Sequence, residues 1–159
     1  MTLSVVDGSS DNDFDGVADQ TVSVTTTDSD VAGFTVIESG GTTTVPEDGS
    51  TTDDFTVVLD AQPTSDVVLS IVSADIGEVT VSPATLTFTS GNWDSSQTVT
   101  VTGVDDSLID GSQTTVVTIA VVDESSNDSF DSLLDQTVSV STADDDTAGF
   151  TVSQTDGSS

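Results

Sequence analysis

Residues 97–111 read QTVTVTGVDDSLIDG, and the order of residue types in this stretch predicts the fold. Val99 and Val101 alternate with threonine, which is the period of two expected of a strand with one buried and one solvated face. Valine and threonine are both β-branched and favour strands. The strand runs directly into a loop that contains three aspartates: Asp105, Asp106 and Asp110. The stretch therefore predicts an antiparallel sheet with acidic connecting turns.

The same alternation returns between turn signals over most of the chain, and no stretch of useful length has a helical period. It predicts seven strands, the first of which is interrupted by two glycines: residues 34–45, 55–59, 67–71, 86–88, 98–102, 117–121 and 138–140. The long connection before the last strand contains Phe130, Leu133 and Leu134, which we expect to cover one end of the strands. Together these features predict an all-β fold, a seven-stranded immunoglobulin-like sandwich.

The chain also repeats itself. Residues 18–36 read ADQTVSVTTTDSDVAGFTV and residues 134–152 read LDQTVSVSTADDDTAGFTV. With an offset of 116 residues, 23 of 43 positions in 1–43 are identical to those in 117–159. A period of this length matches one β-sandwich domain in a tandem array.

The repeat predicts three segments. Residues 1–31 are the last strands of a preceding repeat, residues 32–147 are one complete repeat, and residues 148–159 are the first strand of a following repeat. The alternative is a polymer in which the ends of each chain complement neighbouring chains.

The charge balance excludes several function classes. The chain has no Lys, Arg or His, and its 29 acidic residues, 25 of them aspartate, give a net charge of −29. Phosphate contacts need positive charge, so nucleic acid is excluded as a partner, and anionic membranes would repel the chain. No apolar run of membrane-spanning length occurs, so no membrane insertion is expected.

An enzyme is not expected either. No cationic side chain could hold an oxyanion or a phosphate, and one Trp and six Phe are few for lining a substrate cleft. Disorder is an alternative for so acidic a chain, and adaptation to high salt is another explanation of the charge. Regular alternation argues against disorder, and the bias towards aspartate favours turn and ligand chemistry.

Three acidic segments should meet at one end of the sandwich. Strands that run alternately up and down bring Glu47 in the first turn, the 104–111 loop and the end of the last strand to the same pole. Ca²⁺ needs six to eight oxygen ligands on a flexible frame, whereas Mg²⁺ prefers fewer carboxylates and Zn²⁺ prefers His and Cys. The sequence therefore predicts bound Ca²⁺. The alternative is that these are solvated turn aspartates. The preceding repeat keeps part of the set as Asp28 and Asp30.

A second acidic loop lies at residues 11–16, which read DNDFDG. The spacing is that of an EF-hand loop, but Val22 stands where the bidentate glutamate would be. Its counterpart at residues 127–132 has fewer carboxylates. A structural loop is the favoured interpretation of both.

Three motifs resemble the Calx-beta domain and its relatives in bacterial surface repeats: VPEDG at 45–49, VTVTGVDDSLIDG at 99–111 and DDDT at 144–147. That family is a seven-stranded sandwich that binds calcium through an early glutamate, a D-D-x-x-x-E/D loop and a closing run of aspartates. By position the resemblance implies these ligands: Glu47, Asp105, Asp106, Asp110, Asp144, Asp145 and Asp146. Asp110 departs from the family, in which glutamate is common at this position.

Residues 82–106 are also similar to tandem repeats of large bacterial adhesins and extracellular matrix proteins. The resemblance implies a calcium-stiffened spacer in a long secreted protein, located outside the cell or on its surface, with neighbouring repeats of the same protein as partners. Two alternatives remain open. One is a subunit of a laterally packed, calcium-bridged filament or matrix, and the other is an aspartate-rich surface that binds a ligand or a mineral.

Overall fold

The computed structural model describes residues 1–154, which contain eleven β-strands and four short 3-10 helices but no α-helix. The strands are β1 Thr2–Leu3, β2 Gln20–Thr21, β3 Phe34–Glu38, β4 Thr43–Pro46, β5 Thr52–Leu59, β6 Val67–Ser73, β7 Val79–Ser82, β8 Thr85–Phe88, β9 Gln97–Gly103, β10 Gln113–Val121 and β11 Gln136–Ala143. The 3-10 helices span Asp7–Ser9, Asn12–Phe14, Ser39–Gly41 and Asp123–Ser125. The chain forms two compact units, Met1–Asp30 and a second unit that begins at Val31.

The second unit, called the sandwich unit below, contains two sheets. One sheet has the order β4-β11-β10-β6-β8 and the other β3-β5-β9-β7. Every pairing is antiparallel except that of β4 with β11, which is parallel. This arrangement confirms the predicted all-β, immunoglobulin-like sandwich.

The core lies between the sheets and consists of the residues that the alternation places inward. Val99 and Val101 are fully buried, as are the inward residues of β5, β6, β10 and β11. Phe130 packs into this core from the connection before β11, as expected, and Leu133 packs against it. Leu134 is 88% exposed, so its expected place in the cover is wrong.

Two details differ from the seven predicted strands. The first predicted strand is divided into β3 and β4, which belong to different sheets. Gly40 and Gly41 make the crossing with φ of 66° and 83°, a left-handed conformation that glycine adopts without steric penalty. The second detail is β7, a four-residue strand that pairs with β9. It lies between the predicted strands 67–71 and 86–88, where the sequence pattern predicts only a connection.

The unit Met1–Asp30 repeats the register of the last two strands of the sandwich unit. In this unit Thr2 pairs with Thr21 and Leu3 pairs with Gln20. Adding 116 to these residue numbers gives Thr118–Thr137 and Ile119–Gln136, which are pairs observed between β10 and β11. The 3-10 helices Asp7–Ser9 and Asp123–Ser125 are related by the same offset. The proposed repeat boundaries at residues 31 and 147 stay a prediction. Residues 144–154 contain no strand, and the rest of the predicted final strand lies outside the described residues.

Candidate metal centre

Three carboxylates from distant parts of the chain meet at one end of the sandwich unit. Glu47 follows β4, Asp106 follows β9 and Asp146 follows β11, and each offers an oxygen within 4.8 Å of the oxygens of the other two. Glu47 is only 5% exposed, while Asp106 and Asp146 are half-buried. The end of the sandwich that these three residues form is called the acidic pole below.

The backbone places Glu47 through two local features. The parallel pairing of β4 with β11 continues past Pro46, because the Glu47 N–H donates to the carbonyl of Ala143 at 3.0 Å. On the other side, Gly103 ends β9 directly against the Pro46–Glu47 peptide. A Cβ on Gly103 would overlap the Pro46 carbonyl oxygen and lie 2.9 Å from its carbon. Only glycine therefore lets the two segments come this close.

Backbone amides of the 104–111 loop and of the segment after β11 hold the carboxylates in place. The Asp106 N–H donates to Glu47 Oε1 at 3.0 Å, which ties two of the three chain segments together. The Gly111 N–H donates to Asp144 Oδ2 at 2.7 Å, and the Asp146 N–H donates to Asp144 Oδ1 at 2.8 Å. Asp144 thus anchors the loop to the end of β11, and its two oxygens are engaged with the backbone.

The electrostatics of the acidic pole favour a proton or a cation. The Asp106 N–H lowers the pKa of Glu47, but burial and the carboxylates of Asp106, Asp144 and Asp146 outweigh it and raise that pKa. The pKa of Asp146 is also raised, first by burial and then by four neighbouring aspartates, among them Asp105. Asp146 Oδ2 is buried and has no hydrogen-bond partner among the described residues.

Glu78 is a further acidic residue that the sequence pattern did not indicate as part of a site. This residue lies just before β7 on a cleft of about 320 Å³, whose lining includes Asp75, Asp110, Gln113 and Thr115. Burial raises the pKa of Glu78, and the charges of Asp110, Asp106 and Asp75 raise it further. The alternation of Val79 and Val81 is the sequence signal for Glu78, because it indicates a short strand there. Such a strand, paired with β9, places Glu78 beside the acidic loop that follows β9.

The predicted ligands differ in how closely the structure brings them together. Glu47, Asp106 and Asp146 converge, and Asp144 lies among them as a backbone anchor. Asp145 and Asp105 are exposed, although the charges of both raise the pKa of Asp146. Asp110 is also exposed and lies on the cleft next to Glu78. In these positions their roles as ligands stay a prediction.

Asp28 and Asp30 lie in the unit Met1–Asp30, where both are exposed. The Asp30 N–H donates to Asp28 Oδ1 at 3.0 Å, which repeats the local hydrogen bond of Asp146 with Asp144. Their assignment as ligands likewise stays a prediction.

The second acidic loop makes structural hydrogen bonds. Asp11 Oδ1 accepts the N–H of Asp13 at 3.1 Å and so caps the 3-10 helix Asn12–Phe14. At the equivalent place in the sandwich unit, buried Asn127 donates to the hydroxyls of Thr64 and Ser65 at 2.6 and 3.1 Å. Both loops are thus held by local turns and side-chain contacts.

Comparisons with known proteins give a fold and no family. No protein-family model matches the chain, and no curated protein matches it. Solved structures with similar folds include the Salmonella enterica SafA pilin in complex with the SafB chaperone, at 10% identity and a TM-score of 0.50, covering 77% of this chain and 59% of that one.

Two further structures are less similar by TM-score. The calcium binding domain CBD12 of CALX1.1 has 16% identity and a TM-score of 0.49, covering 72% of this chain and 48% of that one. Domains 4 and 5 of the S-layer protein SbsC have 19% identity and a TM-score of 0.42, with coverages of 72% and 54%. The chain thus spans about half the length of these structures. Among residues 1–154, no helix is long and apolar enough to cross a membrane. The sandwich unit is an immunoglobulin-like β-sandwich with a partly buried carboxylate cluster at one end.

Proposed function

We propose that this chain is a calcium-stiffened structural spacer from a long, secreted repeat protein, with no catalytic role. The observation that carries the proposal is the convergence of Glu47, Asp106 and Asp146 in a chain that has no Lys, Arg or His to neutralise them. Neutralising charge has to come from solvent, and the buried, unpartnered oxygen of Asp146 marks where it is needed.

The donor set suits Ca²⁺ better than other metals. Ca²⁺–oxygen distances are about 2.3–2.6 Å, so two oxygens on one ion lie at most about 5 Å apart. The three carboxylates meet this condition, since they offer oxygens within 4.8 Å of one another. Mg²⁺ usually keeps several waters and is held by only one or two carboxylates. Zn²⁺ prefers nitrogen and sulfur ligands, and the chain has no His and no Cys.

A cation at the acidic pole would link three segments that are far apart in sequence. Glu47 and Asp106 are 59 residues apart, and each belongs to a segment that ends a strand of a different sheet. One ion held by both and by Asp146 ties the two sheets at their open end. Removal of the ion would restore carboxylate repulsion at that end, and the first effect would be a looser sandwich.

The location and partners belong to the same proposal. Extracellular modules commonly bind Ca²⁺ at about 10⁻⁴–10⁻³ M, a range in which the ion is available outside cells. The internal repeat favours neighbouring repeats of the same protein as partners. Each repeat would then form one segment of an extended rod.

Thermal unfolding in Ca²⁺ and in chelator tests the proposal. The chain has a single tryptophan, Trp93, which packs against the core of the sandwich unit, so its fluorescence follows that unit alone. At about 100 times its Kd, one Ca²⁺ adds roughly 2.7 kcal/mol to the free energy of unfolding. We expect the Trp93 transition to rise by about ten degrees in Ca²⁺. Mg²⁺ at the same ionic strength should give a smaller rise.

The matched control is Asp135→Asn, since Asp135 is an exposed acidic residue just before β11, at the opposite end of that strand from the acidic pole, and should leave the calcium response unchanged. A wild-type transition that is indifferent to chelation would overturn the proposal and favour adaptation to salt. A rise in melting temperature with Ca²⁺ that is accompanied by an increase in molar mass, measured by light scattering, would favour the filament alternative.

A further inference from the structure

We infer that the Thr142 hydroxyl is a neutral oxygen donor on the core side of this calcium site. The inference rests on the proposed function and adds a neutral ligand that the acidic motifs do not contain. Thr142 lies on β11 and is 1% exposed, and its Oγ1 has no hydrogen-bond partner in the part of the chain that the structure describes. A buried hydroxyl without a partner is unfavourable by about 1–3 kcal/mol, so valine would be the better residue if only packing mattered.

The register places this hydroxyl one layer below the carboxylates. In the parallel pair of β4 with β11, Thr142 is opposite Val45, and the next residues continue the pairing into Glu47 and Asp144. Asp144 follows the end of β11, and Thr142 and Asp144 are both less exposed than Ala143 between them, so the two side chains lie on the same side of the chain. Val45 and Glu47 likewise share the inward face of their segment, and both are buried. Thr142 is therefore the last buried side chain of β11 before the acidic pole.

The internal repeat keeps this residue together with the acids. Thr142, Asp144 and Asp146 have the counterparts Thr26, Asp28 and Asp30, which are identical. The alternate residues of the same segment differ: Ser141, Ala143 and Asp145 replace Thr25, Thr27 and Ser29. The hydroxyl and the two carboxylates that follow it at alternate positions are thus the same in both copies, and the residues between them have changed.

The chemistry of a hydroxyl suits this position. It has two lone pairs and one proton, so it can direct an oxygen towards the ion or its bound water while donating to a carboxylate such as that of Asp146. Two of the three buried oxygens that have no partner among the described residues, Thr142 Oγ1 and Asp146 Oδ2, lie on this one segment, four residues apart in sequence. One bound cation with its water would satisfy both. A neutral ligand also adds coordination without adding charge repulsion.

The test compares Ca²⁺ binding and metal-free stability in variants of the whole chain. In chelator, Thr142→Val should melt at or above the wild type, because it removes an unsatisfied buried hydroxyl and keeps the side-chain shape. In calorimetric titration the same variant should bind Ca²⁺ with a Kd raised about tenfold or more. Thr43→Val is the matched control. Thr43 is buried on β4, but its hydroxyl already bonds Glu38 at 2.8 Å, so its loss should lower the melting temperature and leave the calcium Kd unchanged.

A second pair of variants covers the case in which valine does not fit. Thr142→Ser and Thr142→Ala both lose the γ-methyl and differ only in the hydroxyl, so Ser should keep the wild-type Kd within about twofold while Ala shows the tenfold loss. Equal calcium Kd values in Ser, Ala and the wild type would overturn the inference and leave the proposed function intact. A wild-type chain that binds no Ca²⁺ would overturn the proposed function, and the inference with it.

Discussion

Gly103→Ala should destabilise the sandwich unit and loosen the acidic pole at the same time. The added Cβ would overlap the Pro46 carbonyl oxygen and lie 2.9 Å from Pro46 C and 3.1 Å from Glu47 Cα. Ordinary carbon contacts begin near 3.4 Å, so a backbone segment has to move by about half an ångström or more. The neighbour is backbone rather than a flexible side chain, and no rotamer change can relieve the overlap.

The expected magnitude follows from overpacking in a well-packed core, which typically destabilises by about 1–3 kcal/mol. For a domain of this size that corresponds to a fall of about 4–15 °C in melting temperature. The assay is the Trp93 fluorescence transition in chelator, where metal cannot mask the change. In Ca²⁺ the melting temperature should fall further, because Glu47 moves away from Asp106 and Asp146 and Ca²⁺ then stabilises the unit less.

Gly91→Ala is the control for this prediction. A Cβ at Gly91 meets only Thr89 Oγ1 at 3.8 Å, which is an ordinary contact, so the change should stay within about 0.5 kcal/mol. If Gly103→Ala melts within a degree or two of Gly91→Ala, the close approach of β9 to the Pro46–Glu47 peptide is not a constraint. The structural reason given for the placement of Glu47 would then be wrong.

Three further outcomes follow from the charges. Asp146→Asn should raise the melting temperature in chelator, because it removes the charge of a carboxyl group whose pKa is raised by burial and by neighbouring carboxylates. The same variant should be stabilised less by Ca²⁺ than the wild type. A variant that loses stability in both conditions would contradict this. In chelator, wild-type stability should rise as the pH falls from 7 towards 4.5. The pKa values of Glu47 and Glu78 are raised above 4.5 on folding, so the folded chain holds more protons than the unfolded chain in this pH range. A melting temperature that stays flat or falls would show that these carboxylates do not repel one another in the folded chain. In saturating Ca²⁺ the stability should instead fall as the pH falls, because protons compete with the metal for the same oxygens. In the same fluorescence melts, the rise in melting temperature caused by Ca²⁺ should become smaller at acidic pH.

Much of the fold could be predicted because its signal is local. Alternation places Val99 and Val101 inward from the sequence alone, and the offset of 116 residues relates two hairpins that the structure pairs in the same register. The division of the first strand was only partly visible. Two glycines mark a break, but whether the chain crosses to the other sheet depends on the parallel pairing of β4 with β11, which is a long-range contact.

The candidate site could be predicted at the level of segments rather than atoms. Strand parity brings Glu47, Asp106 and Asp146 to one pole, and the structure places them within reach of one another. Parity does not reveal which side of the chain each acid occupies, so Asp145 could not be told from its neighbours. Glu78 was missed because β7 has only four residues, too few for its alternation to stand out from a turn.

The decisive measurement is a crystal structure of the chain grown in millimolar Ca²⁺. We expect an ion at the acidic pole, with oxygens of Glu47, Asp106 and Asp146 at about 2.3–2.6 Å from it. Crystals with ample Ca²⁺ in which these three carboxylates hold no ion would contradict it.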